Sequence, residues 1–287
     1  MSIRPAVTPA CLGLLLLSSV ARAGPRVVAL GDLHGDLPQT ERALRLAGVV
    51  DEQGRWSGGP TVLVQTGDVV DRGPDSKAIL DLLRDLQSQA AEAGGRVELL
   101  LGNHEIMNLQ GDWRYVHVGD VEAFGGLDAR IAAFRRDGRI GQWLSSLQVV
   151  VQVGDAVFLH GGLHPRWAGL GLDGVNQAAR SSLLGGPQEI LGSDGPVWYR
   201  GYVEDPEDEA CVALDRSLRE LGARRMVVGH TTQRDGRIKV RCAGRLHAID
   251  VGLSSAYGGN LAVWESNDGD ARAIYPSGVV DLEDPSP

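Results

Sequence analysis

Five short segments carry side chains able to act together: Gly31-Asp32-Leu33-His34-Gly35-Asp36, Gly67-Asp68-Val69-Val70-Asp71-Arg72-Gly73, Gly102-Asn103-His104-Glu105, Leu159-His160-Gly161-Gly162 and Gly229-His230. Each places Asp, Asn or His where an apolar run stops. Asp32 and His34 are two apart, so at the end of a strand both side chains face one way. Carboxylate, imidazole and amide donors together suit a divalent ion such as Mn, Fe or Zn. The flanking glycines let backbone and ion approach without a Cβ in the way. One such aspartate would be an ordinary helix N-cap, and a lone histidine is ordinarily structural. His117, His164 and His247 stand outside the five segments and are read that way. Five segments in order point instead to a two-metal site.

The elements that must position these residues follow from hydrophobic period. Short apolar runs at Val27–Leu30, Thr61–Val64 and Val97–Leu101 end in Gly-Asp, Gly-Asp and Gly-Asn. Helical spacing separates them, with Leu37, Ala43, Leu44, Leu46 and Ala47 first, then Ile79, Leu82, Leu83 and Leu86. Strands alternating with helices predict parallel β-α-β units, in which ligands collect at the carboxyl ends of the strands. Residues 110–146 turn polar and glycine-interrupted, with a helical piece at Asp128–Arg136, and are read as a helical insertion over the site. Val149–Val153 and Ala156–Leu159 form two strands about a Gly154-Asp155 turn. A helix around Glu207–Leu221 then precedes a strand at Met226–Val228. Short strands are expected at Ile238–Arg241, Leu246–Ile249, Leu261–Trp264 and Ala271–Ile274. The last dozen residues contain three prolines and are expected to fray.

Composition bounds the rest. With 287 residues, 43% hydrophobic and 23% charged, the chain suits one α/β domain and not a disordered polymer. The 39 glycines, roughly twice ordinary usage, imply many tight turns. Arg4, the apolar run Cys11–Val20 and Ala21-Arg22-Ala23 read as an export signal over residues 1–23, leaving 24–287 as a single catalytic domain. The run is too short to span a bilayer, so the mature protein is expected to be periplasmic or secreted, without stable membrane association. Cleavage removes two arginines and no acid from a chain already at net charge −9. So acidic a protein is a poor nucleic-acid binder. Cys211 and Cys242 remain, in no metal-ligand spacing. In an oxidising compartment they form a bridge; otherwise they are two buried thiols.

The ordered set GDLHGD, GDVVDRG, GNHE, LHGG and GH resembles the PPP-type metallophosphoesterases, the group of serine/threonine phosphoprotein phosphatases. GNHEIMNLQGDWRYV, GPVWYRGY and IDVGLSSAYGG further resemble the bacterial Shewanella-like phosphatases within it. The likeness runs from about Val27 to Tyr275. It implies a metallophosphoesterase-type α/β fold, a two-sheet β sandwich flanked by helices. It also implies one ion on Asp32, His34 and Asp68, and a second on Asp68, Asn103, His160 and His230, with Asp68 bridging. Two such ions would share a hydroxide that attacks phosphorus. The resemblance makes His104 the general acid, oriented by Asp71, and sets Arg72 on the phosphate oxygens. Arg200 is the candidate second clamp, or else an ordinary surface ion pair. Tyr257 either lines the pocket or packs.

The implied function is hydrolysis of phosphomonoesters on a protein, a peptide or a small ester. A dinucleoside polyphosphate hydrolase shares the first three motifs and is the alternative enzyme. An inactive phosphate-binding module is the alternative of another class, although every expected ligand position is filled. The choice among phosphoserine, phosphothreonine and phosphotyrosine, the metal, and the oligomeric state are not legible at this level.

Overall fold

The computed structural model describes residues 24–285, so the expected export signal lies outside the described residues. Strand β1 (Val27–Leu30), helix α1 (Leu37–Leu46), β2 (Val62–Gln65), α2 (Ser76–Glu92) and β3 (Arg96–Leu99) form the two expected β-α-β units, with β1–β2 and β2–β3 parallel. Every residue of β1 and β2 is buried, as befits parallel strands covered on both faces. Alternation decides which layer each side chain joins. Val28 and Leu30 pack with Leu44, Ile79 and Leu83 of the helices, whereas Val27 and Ala29 pack against the opposite sheet. Asp36 caps α1 by accepting from the Gln39 amide at 3.1 Å.

Residues 103–144 fold into α3 (Asn103–Leu109), α4 (Val118–Ala123), α5 (Leu127–Phe134) and α6 (Arg139–Leu144). The second half supplies β4 (Val150–Val153), β5 (Ala156–Leu159), α7 (Pro165–Ala168), α8 (Gly171–Leu183), α9 (Gly201–Glu204), α10 (Glu207–Leu221) and β6 (Arg225–Val228). Then come β7 (Lys239–Arg241), β8 (Leu246–Ala248), β9 (Val263–Asn267), β10 (Asp270–Tyr275) and β11 (Gly278–Asp281). One sheet runs β11-β10-β9-β1-β2-β3 and the other β4-β5-β6-β8-β7. Their facing surfaces meet through Val64, Phe158, Val227, Ile249 and Trp264. Phe158 meets Trp264 edge-on, with ring centroids 5.3 Å apart. The result is the expected sandwich of two sheets with helices outside.

The expected boundaries move by one or two residues at most strands: β2 starts at Val62, β3 ends at Leu99, and β9 starts at Val263. Three larger differences have causes. Within the expected frayed stretch, Gly278–Asp281 pairs antiparallel with β10 around Pro276-Ser277, so proline occupies the turn and leaves the ladder intact, and residues 286–287 lie outside the described residues. Beyond it, Asp284 receives Arg225 at 2.6 Å. Helix α8 was not expected, because Gly171 and Gly174 obscure a period carried by Val175, Ala179, Ser182 and Leu183. The thiol question closes as a Cys211–Cys242 bridge, with Cα atoms 5.2 Å apart, tying α10 to the turn after β7. No helix among the described residues is long and apolar enough to cross a membrane.

Candidate metal centre

The carboxyl ends of β1, β2, β5 and β6 and the start of α3 converge on a cavity of about 190 Å³. Its walls include Asp32, His34, Asp68, Arg72, Asn103, His104, Arg200, His230 and Tyr257. His160 and Asp71 stand immediately behind them, fully buried. Sequence expectation thus named nine of the twelve lining residues; Tyr115, Trp198 and Thr232 complete them.

Asp68 is the centre of the arrangement. Its Oδ1 accepts the backbone N–H of His104 at 2.9 Å. Its Oδ2 faces His160 Nε2 at 3.2 Å and His34 Nε2 at 3.7 Å, on two sides. Asp32 Oδ2 lies 3.8 Å from His34 Nε2, and Asn103 Oδ1 lies 3.0 Å from His160 Nε2. Ligand atoms of Asp68, His160 and His230 fall within 4.8 Å of one another. The ring tautomers are set from behind: Nδ1 of His34 meets the Val70 carbonyl at 3.2 Å and Nδ1 of His160 that of Thr66 at 3.0 Å, leaving each Nε2 free to ligate. A Cβ on Gly102 would fall 2.2 Å from Asp68 Oδ1, so only glycine lets α3 start this close to the carboxylate.

Backbone conformation is unusual at these same residues. His34, Asp68, Asp71, Arg72 and His230 all have φ between 42° and 70°. Arg72 and His230 each occupy the middle of a three-residue turn, closed by Gly73 N–H to Asp71 O at 2.8 Å and by Thr231 N–H to Gly229 O at 2.7 Å. Such γ-turns with positive φ are rare and strained, and strain of this kind collects where a site is held in shape by its surroundings.

The electrostatics fit a cation pair. Burial pushes His34 down to about 4, and burial with His160 nearby pushes His230 down to about 2, so both rings are neutral with lone pairs available. His230 Nε2 is buried without a hydrogen-bond partner. Burial and the carboxylates of Asp250 and Asp68 raise Asp32 well above the usual range, the sign of acids crowded together without positive charge between them. For Asp68, burial is outweighed by His160 and His104, which hold it well below the usual range. The residues present therefore fit two divalent ions sharing Asp68.

His104 stands differently. Its Nδ1 lies 2.7 Å from Asp71 Oδ2, and its Nε2 faces the cavity 3.9 Å from Asp68 Oδ2. Burial alone would lower its pKa, but Asp68 and Asp71 overcome this and raise it. Tyr257 stacks on His34 with centroids 4.9 Å apart. The Arg72 guanidinium sits 3.8 Å from the centroid of Tyr115 and 5.9 Å from that of Tyr257. Arg200 is half-exposed at the rim, 3.5 Å from His230 Nδ1 and 3.9 Å from Glu204.

Four supporting residues have no role assigned from sequence. Glu105, quoted there without a role, accepts the backbone N–H groups of Asp68, Val69, Val70 and Gly102 at 2.8, 2.8, 3.2 and 2.8 Å. It thus locks the Asp68 loop onto α3. Asn108 lies one turn beyond His104 on α3, a spacing that pattern alone could have flagged. Tyr115, quoted within GNHEIMNLQGDWRYV without a role, and Arg130, which nothing local marks, come from the 110–146 segment. His117 and His164 cap α4 and α7, and His247 is buried between the sheets.

A model of the calcineurin-like phosphoesterase family matches residues 25–234. An uncharacterized protein of Schizosaccharomyces pombe is 40% identical, covering 89% of this chain and 82% of its own length. Shewanella-like protein phosphatase 2 of Arabidopsis thaliana is 37% identical, covering 80% of this chain and 71% of its own. Among solved structures, the cold-active protein-tyrosine phosphatase of a psychrophilic Shewanella species superposes with a TM-score of 0.79 at 30% identity, over 90% of this chain and 80% of that one.

Proposed function

The chain belongs to the calcineurin-like phosphoesterase family, and from that premise we propose that it is a metal-dependent phosphoprotein phosphatase of the Shewanella-like group. The observation that carries this reading is one carboxylate oxygen, Asp68 Oδ2, placed between His34 and His160 on a cavity that His104 also faces. Asp32, His34 and Asp68 would hold one ion, and Asp68, Asn103, His160 and His230 the other. Bound there, divalent ions supply Lewis-acid polarisation of the phosphoryl group and acidification of a nucleophilic water. The donor set, three oxygen-bearing side chains and three imidazoles, accommodates Mn, Fe or Zn, manganese among them.

The chain's own residues supply the rest. Arg72, stacked on Tyr115 and buried at Nε, and Arg200 at the rim present guanidinium forks that match phosphoryl oxygens. His104 Nε2 gives its proton to the leaving oxygen as the P–O bond breaks. Asp71 keeps the ring oriented through Nδ1 and stabilises its charged form. Tyr257 and Tyr115 wall the cavity beside Arg72 and His104. A phosphorylated protein or peptide side chain fits as substrate, and a small phosphate ester is the simpler version of the same chemistry. The dinucleoside polyphosphate alternative has only distant relatives behind it. An inactive module has no motivation, since each ligand and the acid are present.

We further propose export to the periplasm or medium, which the Cys211–Cys242 bridge supports because such bonds persist in oxidising compartments. The test of function is a panel assay after chelation. Mn, Fe and Zn are restored separately, and phosphoserine, phosphothreonine and phosphotyrosine peptides are compared with a dinucleoside tetraphosphate. Turnover of a phosphopeptide that depends on added metal is expected. Preference for the dinucleotide would overturn the reading.

A further inference from the structure

Asp71 orients His104, but Asp71 is itself oriented by groups the reaction does not touch. It is fully buried, and besides His104 its carboxylate meets Asn108 Nδ2, which donates to Oδ1 at 3.1 Å and to Oδ2 at 3.0 Å. Asn108 Oδ1 in turn accepts Arg130 Nη1 at 2.8 Å. Arg130, fully buried on α5, donates through Nε to the buried Asp120 at 2.7 Å, and its Nη2 lies 3.6 Å from Asp71 Oδ1. Asp120 also accepts the Lys77 backbone N–H of α2 at 3.2 Å, and the guanidinium rests 4.4 Å from the centroid of Phe134. A chain of hydrogen bonds therefore runs from the 110–146 segment to the His104 ring.

We propose that Arg130, held by Asp120, is a positioning residue for the Asp71–His104 pair. This rests on the phosphatase reading above. The physical reason lies in the amide of Asn108, whose two ends are nearly isosteric. A guanidinium has donors and no acceptor, so Arg130 forces the carbonyl end of Asn108 toward itself and the NH2 end toward Asp71. Without Arg130 the buried Asn108 Oδ1 has no donor, and the side chain is held only at Nδ2, which also donates to the His104 carbonyl at 2.9 Å. Asp71 then loses the neighbouring guanidinium and the fixed place of its Asn108 donor, and with them its hold on His104 Nδ1. Stability does not explain the arrangement, because buried ion pairs are commonly replaceable by apolar groups at little cost.

The test is the double variant Asp120→Asn/Arg130→Met, which removes both charges of the buried Arg130–Asp120 pair together. Misplaced proton delivery should lower kcat on an alkyl phosphate such as a phosphoserine peptide by about 10²-fold. The loss should be much smaller on nitrophenyl phosphate, whose leaving group needs little protonation. KM and metal content should stay unchanged. In the chelated protein, the downfield Nδ1 proton of His104 should move upfield in the NMR spectrum. Equal kcat losses on both esters, or an unmoved Nδ1 proton, would overturn the proposal. Arg130→Lys keeps the charge and loses the fork. If the double variant does not fold, the same two readouts on Arg130→Lys decide it by the same criteria. Wild-type turnover, run alongside, fails only if the phosphatase reading is wrong, and the NMR arm does not depend on turnover.

Discussion

The indole Nε1 of Trp264 donates to Nδ1 of His247 at 2.7 Å. Trp264 belongs to β9 of one sheet and His247 to β8 of the other, and both are buried. The bond joins the two sheets directly and requires a neutral imidazole, because a protonated Nδ1 has no lone pair to accept with.

Stability should therefore weaken in mild acid. Burial, with the Arg225 charge second, lowers His247 from 6.5 to about 4. Between those values the unfolded chain binds a proton that the folded chain refuses, so stability is full above pH about 6.5 and falls as pH drops toward 4. The shift corresponds to about 3 kcal/mol at the acid end. Urea unfolding of chelated protein at pH 7 and pH 4.5 measures it. His247→Gln should be less stable at pH 7 and flatter across the window; an unchanged slope would exclude His247 as the origin.

Asp68→Asn should lose metal as well as turnover. Oδ2 of Asp68 faces both histidine clusters, and a neutral amide cannot neutralise two cations. Elemental analysis after gel filtration should find fewer than two ions per chain. Two retained ions with near-normal activity would remove Asp68 from the bridging position.

His104→Asn should spare metal and damage proton delivery. Loss of a general acid lowers turnover about 10²–10⁴-fold, less for esters with acidic leaving groups. Paired assays with alkyl and nitrophenyl phosphates report the difference, with elemental analysis as control. Equal losses on the two esters would argue against the acid.

Breaking the Cys211–Cys242 bridge should cost roughly 3–4 kcal/mol, the loop-closure value for a separation of 31 residues. Alkylation of the unreduced, denatured protein should add no label at these two cysteines, and two after reduction. Labels before reduction would mean free thiols.

What sequence could and could not show divides along locality. Val27–Leu30 running into Gly31-Asp32 is a local signal, and it placed a strand end and a cavity-lining aspartate together. Gly278–Asp281 gave none, because every residue of that edge strand is exposed and no face is patterned. Arg130 was invisible for the converse reason: an arginine on a short helix reads as surface, and only its tertiary partners Asn108, Asp120 and Phe134 mark it as buried. The positive φ of Asp71 and Arg72 also has no local mark, since neither is glycine. The cystine stayed open because Cα separation is a property of the fold.

Glu105 gives the sharpest separation between a ligand and its support. Its carboxylate accepts four backbone N–H groups, those of Asp68, Val69, Val70 and Gly102. Glu105→Gln keeps the shape but turns one oxygen into a donor, so two of the four N–H groups face an NH2. A buried donor left unpaired costs about 1–3 kcal/mol, and the Asp68 loop is the part free to relax. Asp68 would then swing away from the line between His34 and His160. Supporting contacts of this kind typically change metal affinity 10–100-fold. Competition with a chelator should show weakening in that range, together with a lower Tm in the metal-free protein. If Tm fell while metal affinity stayed at the wild-type value, Glu105 would be a general structural residue and the Asp68 loop would hold its shape without it.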